Sequence, residues 1–139
     1  MPLIAYDTET TSLRRNDPEA AIFSYSTCDE AERVLVRRLD GSPSRSKISR
    51  ASLDRLWSDT SIEKSIHNAK FDVGFTMKHL GLSEDEMRKH TIHCTMLMSK
   101  VLRNDHPSHG LKELCWELAG IPVDDERAIK GYGNYQHVP

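Results

Sequence analysis

The sequence predicts an α/β fold in which an antiparallel set of strands is extended by parallel strands and covered by helices. Before about residue 40, short apolar runs separated by polar turns are typical of strands. Beyond about residue 50, segments with helical apolar spacing alternate with two more short strands, which favours parallel pairing. A mixed sheet flanked by helices satisfies both patterns.

Three strands and a hairpin are expected in the first part of the chain. Residues 3–5 form an apolar run too short for a helix, so they predict a buried first strand. The second strand, its turn and the third strand are predicted at residues 20–26, 29–32 and 33–39. Residues 40–49 are rich in Ser, Gly and Pro and predict a loop.

Helices and strands alternate in the second part of the chain. Gly81 and Gly120 are expected to end two of the helices, because glycine readily adopts the left-handed conformation found after a helix. The predicted elements are helix 51–57, strand 64–67, helix 69–80, a capped acidic turn at 83–87, strand 91–94, helix 96–102 and a helix from about residue 111. The helix over 96–102 is expected to bury Leu97, Met98 and Val101.

Two carboxylates follow the first strand, in the stretch Tyr-Asp-Thr-Glu-Thr-Thr-Ser-Leu at residues 6–13. Since side chains alternate across a strand, Asp7 and Glu9 are expected to point to the same face. Adjacent carboxylates repel each other, and a divalent cation such as Mg²⁺ would relieve the repulsion. The pattern Asp-x-Glu is weak alone, because a solvated strand end followed by a turn also explains it.

A second stretch, at residues 67–75, strengthens the prediction of a metal site. It begins as the strand at 64–67 ends and opens the helix at 69–80, which places Asp72 in the first helical turn. Phe71 and Phe75 share one face of that helix and are better explained as core residues than as base-stacking residues.

Together the two motifs resemble those of the DEDD family of 3′–5′ exonucleases. Residues 7–11 are similar to the family's first motif, and residues 68–72 to its second. Residues 94–96 and 110–114 are also similar to segments of the proofreading domain of family A DNA polymerases, the DNA polymerase I type. The resemblance covers nearly the whole chain and rests on paired motifs in the same order.

The resemblance implies a ribonuclease-H-like fold and a metal-dependent reaction at the 3′ end of single-stranded DNA. Two Mg²⁺ or Mn²⁺ ions would supply the hydroxide nucleophile and stabilise the leaving oxygen. In the family's scheme Asp7 bridges the two ions and Glu9 holds the ion on the nucleophile side. Asp72 holds the ion on the leaving-group side.

The resemblance also implies where the terminal nucleotide is bound. Thr8, Thr10 and Leu13 are expected to receive it through backbone groups and an apolar wedge, and Asn68 is expected to shape the site. For Asn68 the ordinary alternative is a turn residue at a strand end.

The family's third motif, Tyr-x-x-x-Asp or His-x-x-x-x-Asp, has no clear counterpart. Neither Tyr132 nor Tyr135 is followed by Asp four positions later, and Asp124 and Asp125 fit neither frame. By resemblance the motif should begin shortly after Pro139. We therefore expect residues 1–139 to form a single exonuclease-like domain that is incomplete at its C-terminus, linked to the polymerase domain of a parent protein that could be viral.

Composition adds few restrictions. The formal net charge of −2 gives no overall basic footprint of the sort that drives non-specific nucleic-acid binding. Cys28, Cys94 and Cys115 have no paired spacing and are expected to be reduced thiols of a cytoplasmic protein, in the host cytoplasm for a virus. No signal peptide or membrane span is expected.

His90 and His93 suggest a zinc site only weakly, because no second pair of Cys or His residues lies at zinc spacing.

Two classes of function remain after the sequence has been read. The first is a 3′–5′ exonuclease, either a DNA proofreading domain or an RNA-degrading relative, since no residue that reads a 2′-hydroxyl can be named. The second is a catalytically incomplete domain of the same fold that binds a nucleic-acid end or a partner. The three acidic residues favour the first class for the parent protein, and the missing fourth carboxylate favours the second for residues 1–139, which we expect to hydrolyse DNA very poorly.

Overall fold

A five-stranded mixed sheet forms the centre of the fold. The computed structural model of the chain describes residues 2–121. The strands are β1 (Leu3–Thr10), β2 (Ile22–Asp29), β3 (Val34–Arg38), β4 (Glu63–Ile66) and β5 (Ile92–Cys94). Their order in the sheet is β3-β2-β1-β4-β5. β2 runs antiparallel to β1 and β3, whereas β4 runs parallel to β1 and β5. The predicted antiparallel meander followed by parallel strands is confirmed.

Helices connect and follow the later strands. They are α1 (Pro43–Ser58), α2 (Ala69–Leu80), α3 (Glu84–Met87), α4 (Thr95–Leu102) and α5 (Leu111–Ala119). α2 has the bounds that the sequence predicts, and Gly81 ends it in the left-handed conformation, with φ of 69°. Ser83 and Glu86 form the predicted cap of α3, each side chain bonding the other's backbone N–H. None of the helices in residues 2–121 is both long and apolar enough to cross a membrane.

The prediction of a loop over residues 40–49 is wrong for most of that segment. α1 begins at Pro43 and therefore includes Arg45 and Lys47, which the composition had placed in a loop. Proline is favourable in the first helical turn, since it has no N–H to leave unpaired and its φ is already helical. Leu53 and Trp57 of α1 are buried, and Leu56 is partly buried.

The first strand is longer than predicted and is buried at other positions. Residues 3–5 were expected to be its buried part, but Leu3 and Ile4 are half-buried and Ala5 is exposed. The buried residues are Tyr6 and Thr8, so the acidic motif lies inside the strand. The hydrophobic core forms here, where the Tyr6 ring meets the Trp57 ring edge-on at 5.3 Å between centroids.

The chain divides into two compact units, residues 1–95 and 96–139. The first unit holds the sheet and α1–α3. In the described part of the second, the predicted burial of three apolar residues of α4 is wrong, because Leu97, Met98 and Val101 are 56%, 50% and 81% exposed. Apolar spacing identified the helix correctly, but spacing alone does not show what covers an apolar face.

A buried lysine lies between β4 and the end of α1. Lys64 is 0% exposed, and its Nζ donates to the Asp59 carbonyl oxygen at 3.0 Å. Nζ also lies 3.0 Å from His90 Nδ1. Because His90 Nε2 donates to the Trp57 carbonyl oxygen at 3.1 Å, the neutral imidazole can accept from Lys64 at Nδ1. Burial lowers the pKa of Lys64 to about 8, and burial followed by repulsion from Lys64 lowers the pKa of His90.

We expect the free energy of unfolding to rise between about pH 8 and about pH 9.5. In this window the unfolded chain still carries the Lys64 proton, whereas the folded chain is losing it at a pKa of about 8. The unfolded state therefore binds more protons, and stability rises with pH by at most about 3 kcal/mol. Urea unfolding across this window measures the rise. Lys64→Met should flatten the profile, and a wild-type profile that is already flat would contradict the assignment.

Candidate active site

Asp7 and Glu9 lie on one face of β1, the central strand of the sheet. Tyr6 and Thr8 are buried, while Asp7 and Glu9 between and beyond them are exposed. The alternation confirms that the two carboxylates share a face. The pairing of β1 with β2 shifts register between Glu9 and Thr10, so the strand becomes irregular directly after the second carboxylate. Such irregularities change the direction in which the following side chains point.

Asp72 reaches β1 from the first turn of α2. Asp72 is 3% exposed, and its Oδ1 accepts two hydrogen bonds from Thr8. The backbone N–H of Thr8 donates at 2.9 Å and the Thr8 hydroxyl donates at 2.6 Å. One turn further along α2, the Thr76 hydroxyl lies 2.8 Å from the Tyr6 hydroxyl. Two successive turns of α2 are thus held against the buried face of β1.

The three carboxylates act on one another electrostatically. Although Asp7 keeps exposed surface, the protein around its carboxylate displaces much of the water, and this burial is the main reason that its pKa is raised to about 6. Repulsion from Asp72 and then from Glu9 adds to the shift. The pKa of Asp72 is also raised by burial, although its hydrogen bonds from Thr8 oppose the shift. The predicted site residues Asp7, Glu9 and Asp72 therefore lie close enough together to share one negative field.

The chemistry of these groups fits a hard divalent cation, which prefers carboxylate oxygens. Their positions, however, do not form a complete set of metal ligands. Within residues 2–121, no three His, Cys, Asp or Glu side chains converge as a group that could hold a metal ion. Both donors of Thr8 engage Asp72 Oδ1, so this oxygen is already used within the protein.

The predicted substrate-binding residues lie around these carboxylates in the sequence and are differently exposed. Leu13 is 85% exposed, which leaves an apolar side chain in solvent. The Thr10 hydroxyl donates to the Ser12 carbonyl oxygen at 2.9 Å. Asn68 is exposed and left-handed, with φ of 56°, a conformation that Asn tolerates better than most residues. The substrate roles of Thr8, Thr10, Leu13 and Asn68 stay predictions.

The structure adds roles that the sequence did not reveal. Thr8, whose substrate role stays a prediction, positions Asp72 through its N–H and hydroxyl. Cys94 Sγ accepts the backbone N–H of Ala69 at 3.4 Å, which gives the N-terminus of α2 an acceptor. The only available signal for Cys94 was its place in the 94–96 segment, where the family's Asp-Thr-Met motif has aspartate.

Two other sequence candidates have different outcomes. The weak zinc pattern is not realised, because His90 contacts Lys64 while His93 Nε2 lies 2.6 Å from Glu63 Oε2. The residues weighed for the third motif lie outside the described residues, namely Asp124, Asp125, Tyr132 and Tyr135.

Comparison with known proteins places these features in a family. Residues 1–137 match the model of a family described as 3′–5′ exonuclease. A DNA polymerase of Escherichia phage T5 is 41% identical over 56 residues, which cover 40% of this chain and 6% of that protein. The match thus spans only a small part of the curated relative.

Solved structures show the same fold. Brucella melitensis NrnC matches with a TM-score of 0.68 and 24% identity, over 88% of this chain and 54% of NrnC. The same protein with bound Mg²⁺ gives a TM-score of 0.61 at 22% identity, over 88% and 56% of the two chains. The POL domain of Pol1 from M. smegmatis gives 0.58 at 16% identity, over 91% of this chain and 20% of that one.

The acidic strand β1, the aspartate of α2 and the mixed sheet agree with a family match that extends over nearly the whole sequence. The chain belongs to the 3′–5′ exonuclease family of DNA polymerases.

Proposed function

We propose that this domain removes nucleotides one at a time from the 3′ end of single-stranded DNA, as the proofreading part of a DNA polymerase. The observation that carries the proposal is that Asp7 and Glu9 share one face of β1 while Thr8 holds Asp72 of α2 beside the same strand. Burial, followed by repulsion from Asp72 and Glu9, raises the pKa of Asp7 to about 6. Membership of the family supports the reaction, and the partial match to the phage T5 polymerase supports the polymerase linkage.

The proposal includes a divalent cation, Mg²⁺ or Mn²⁺, held by Asp7, Glu9 and Asp72. The Mg²⁺-bound structure of NrnC supports this choice of metal. When bound, a pair of such ions supplies a hydroxide nucleophile at neutral pH and stabilises the leaving oxygen. The letters of the family's third motif occur at residues 25–29 and 67–72, but Asp29 is paired with Arg33 and residues 67–72 belong to the second motif. We therefore propose that a further segment of the polymerase provides the fourth carboxylate and the water-positioning side chain.

The residues of this chain contribute position and charge. Thr8 holds the Asp72 carboxylate beside β1, so that carboxylate does not have to be oriented when substrate arrives. Asp7 and Glu9 project from the same strand face, which concentrates negative charge at the strand end. We propose that exposed Leu13 separates the terminal base from its neighbour, and that Thr10 and Asn68 contact the terminal nucleotide.

A second function is favoured by one observation. Since no three described side chains form a group able to hold a metal ion, the domain could bind a nucleic-acid end without cutting it. Metal binding and hydrolysis separate this function from the first.

We expect Mn²⁺ to bind the chain and Asp7→Asn to weaken that binding at least about tenfold, or about 1.4 kcal/mol. The substitution removes one carboxylate from the cluster while keeping its size. Isothermal titration calorimetry measures the affinity. Asp85→Asn is the matched control, because Asp85 is an exposed acid on α3 and outside the cluster. Equal heats for the wild type and Asp7→Asn would rule out this metal site.

We expect the chain extended through the third motif to shorten a 5′-labelled single-stranded DNA from its 3′ end in steps of one nucleotide, and residues 1–139 alone to cleave it far more slowly. Hydrolysis should need Mg²⁺ or Mn²⁺, stop in chelator and fall at least about 100-fold in Asp7→Asn and Asp72→Asn, because each removes a carboxylate that positions the reaction. An RNA strand of the same sequence tests the RNA alternative. Cuts in a circular single strand would contradict the proposal, and no cleavage by the extended wild-type chain would favour the binding function.

We expect Thr8→Val to lower the free energy of unfolding by about 1 kcal/mol, because it removes the hydroxyl that donates to Asp72 Oδ1 at 2.6 Å. Hydrolysis should slow as well, since Asp72 is held less firmly. Thr8→Ser keeps the donor and should retain both properties. Thr60→Val is a control, because Thr60 is an exposed turn residue outside the acidic cluster. Urea unfolding that cannot distinguish Thr8→Val from the wild type would argue against this role.

A further inference from the structure

A cavity of about 510 Å³ lies between the segment that follows β1 and the first half of α2. Its lining includes Arg14, Arg15 and Lys70, together with the amides of Asn16 and Asn68. Asn68 precedes Asp72 by about one helical turn, so the cavity adjoins the turn that carries the carboxylate. Its volume falls within the range of sites that bind small ligands.

The cavity has an unbalanced positive charge. No acidic side chain lines it. Among residues 2–121, the side chains of Arg14, Arg15 and Lys70 make no hydrogen bond or ion pair. Four other arginines of the described chain are each paired with a carboxylate, namely Arg33, Arg38, Arg88 and Arg103. The cations of the cavity thus differ from the ion-paired arginines, and a bound anion would neutralise their charge.

The segment that carries the two arginines is tied down before any ligand binds. Lys78 of α2 donates from Nζ to the carbonyl oxygens of Arg15, Asp17 and Ala20 at 3.2, 2.7 and 2.7 Å. The backbone N–H of Asp17 also donates to the Arg14 carbonyl oxygen at 3.0 Å. Less conformational freedom is then lost on binding, which favours affinity.

Arg15 lies directly against the helix. A Cβ placed on Gly74 would lie 1.8 Å from Arg15 Nη1 and 2.9 Å from Arg15 Cζ. The absence of a side chain at position 74 therefore lets the guanidinium rest on α2 at the edge of the cavity.

One partly exposed aromatic ring, that of Phe71, accompanies the cations. Phe71 and Phe75 line the cavity, and their rings lie 4.9 Å apart between centroids. Phe75 is buried in the core, as the sequence predicts, whereas Phe71 is only partly buried. Cations that contact phosphates beside an aromatic face are the elements with which proteins bind single strands.

We propose that this cavity binds backbone phosphates of the single strand whose 3′ end lies at Asp7, Glu9 and Asp72, upstream of the bond that is cut. Arg14, Arg15 and Lys70 contact the phosphates. The proposal rests on the proposed function for the identity of the strand, but it concerns binding and does not require hydrolysis.

Fluorescence anisotropy with a 5′-labelled single strand of DNA, in chelator and over a range of salt concentrations, tests the proposal. The double substitution Arg14→Gln with Arg15→Gln should raise Kd about tenfold or more at low salt and lower the salt slope by about 1.4, that is, about 0.7 for each lost phosphate contact. Arg14→Lys with Arg15→Lys should keep most of the slope. Arg45→Gln with Arg50→Gln removes the same charge from exposed positions of α1 and should change both quantities less.

Neutral methylphosphonate linkages locate the contact. Placed singly at the first to fourth linkage from the 3′ end, at least one should weaken binding by the wild type and have a smaller effect on the Arg14/Arg15 double variant. Because both arginines are exposed, the variant should unfold in urea at the wild-type midpoint, which excludes misfolding as the cause.

The proposal is overturned if the double variant keeps the wild-type affinity and salt slope, or loses no more than the α1 control. It is also overturned if no neutral linkage distinguishes the wild type from the variant. Arginine-dependent binding without hydrolysis would contradict the exonuclease activity alone, whereas metal-dependent hydrolysis with unchanged binding would contradict the cavity alone.

Discussion

The pair of hydrogen bonds from Thr8 to Asp72 is the interaction on which the rest of the site depends. It joins residues 64 positions apart in the chain and brings an aspartate of α2 beside the two acids of β1. Without it, the buried Asp72 carboxylate would lose two hydrogen-bond donors, and burial of a charged group is costly when its hydrogen bonds are missing. These bonds oppose the rise in the pKa of Asp72 that burial causes. Repulsion from the Asp72 carboxylate in turn raises the pKa of Asp7. A single threonine thus links the packing of α2 on the sheet to the electrostatics of the acidic cluster.

Opposite charges are separated on either side of the start of α2. The carboxylates cluster where α2 meets β1, while Arg14, Arg15 and Lys70 surround the neighbouring cavity without acidic partners in residues 2–121. A net charge of −2 conceals this separation, because composition averages the two regions. Attraction of an anionic strand therefore depends on local charge, and repulsion from the carboxylates has to be offset by cations, either bound metal or side chains.

The sequence predicted the elements whose signals are local. α2 was predicted with its observed bounds because its apolar spacing, its place after a strand and Gly81 all act within a few residues. α1 was predicted too short because Ser and Pro are typical of loops and also of the start of a helix, and the residues before position 50 were assigned to a loop. Burial in α4 and the engagement of Thr8 with Asp72 were not predictable, since both depend on residues distant in sequence. The positions of Asp7, Glu9 and Asp72 followed from paired motifs, but their completeness as a metal site did not.

The central claim is that the acids of β1 and α2 form one metal-binding cluster. Crystals of the chain soaked in Mn²⁺ and measured at the manganese absorption edge test it most directly, because anomalous scattering locates the metal without assumptions about the side chains. We expect an anomalous peak within coordination distance of both the Asp7 and the Asp72 carboxylates. A peak elsewhere, or no peak at a Mn²⁺ concentration that saturates binding in solution, would contradict it.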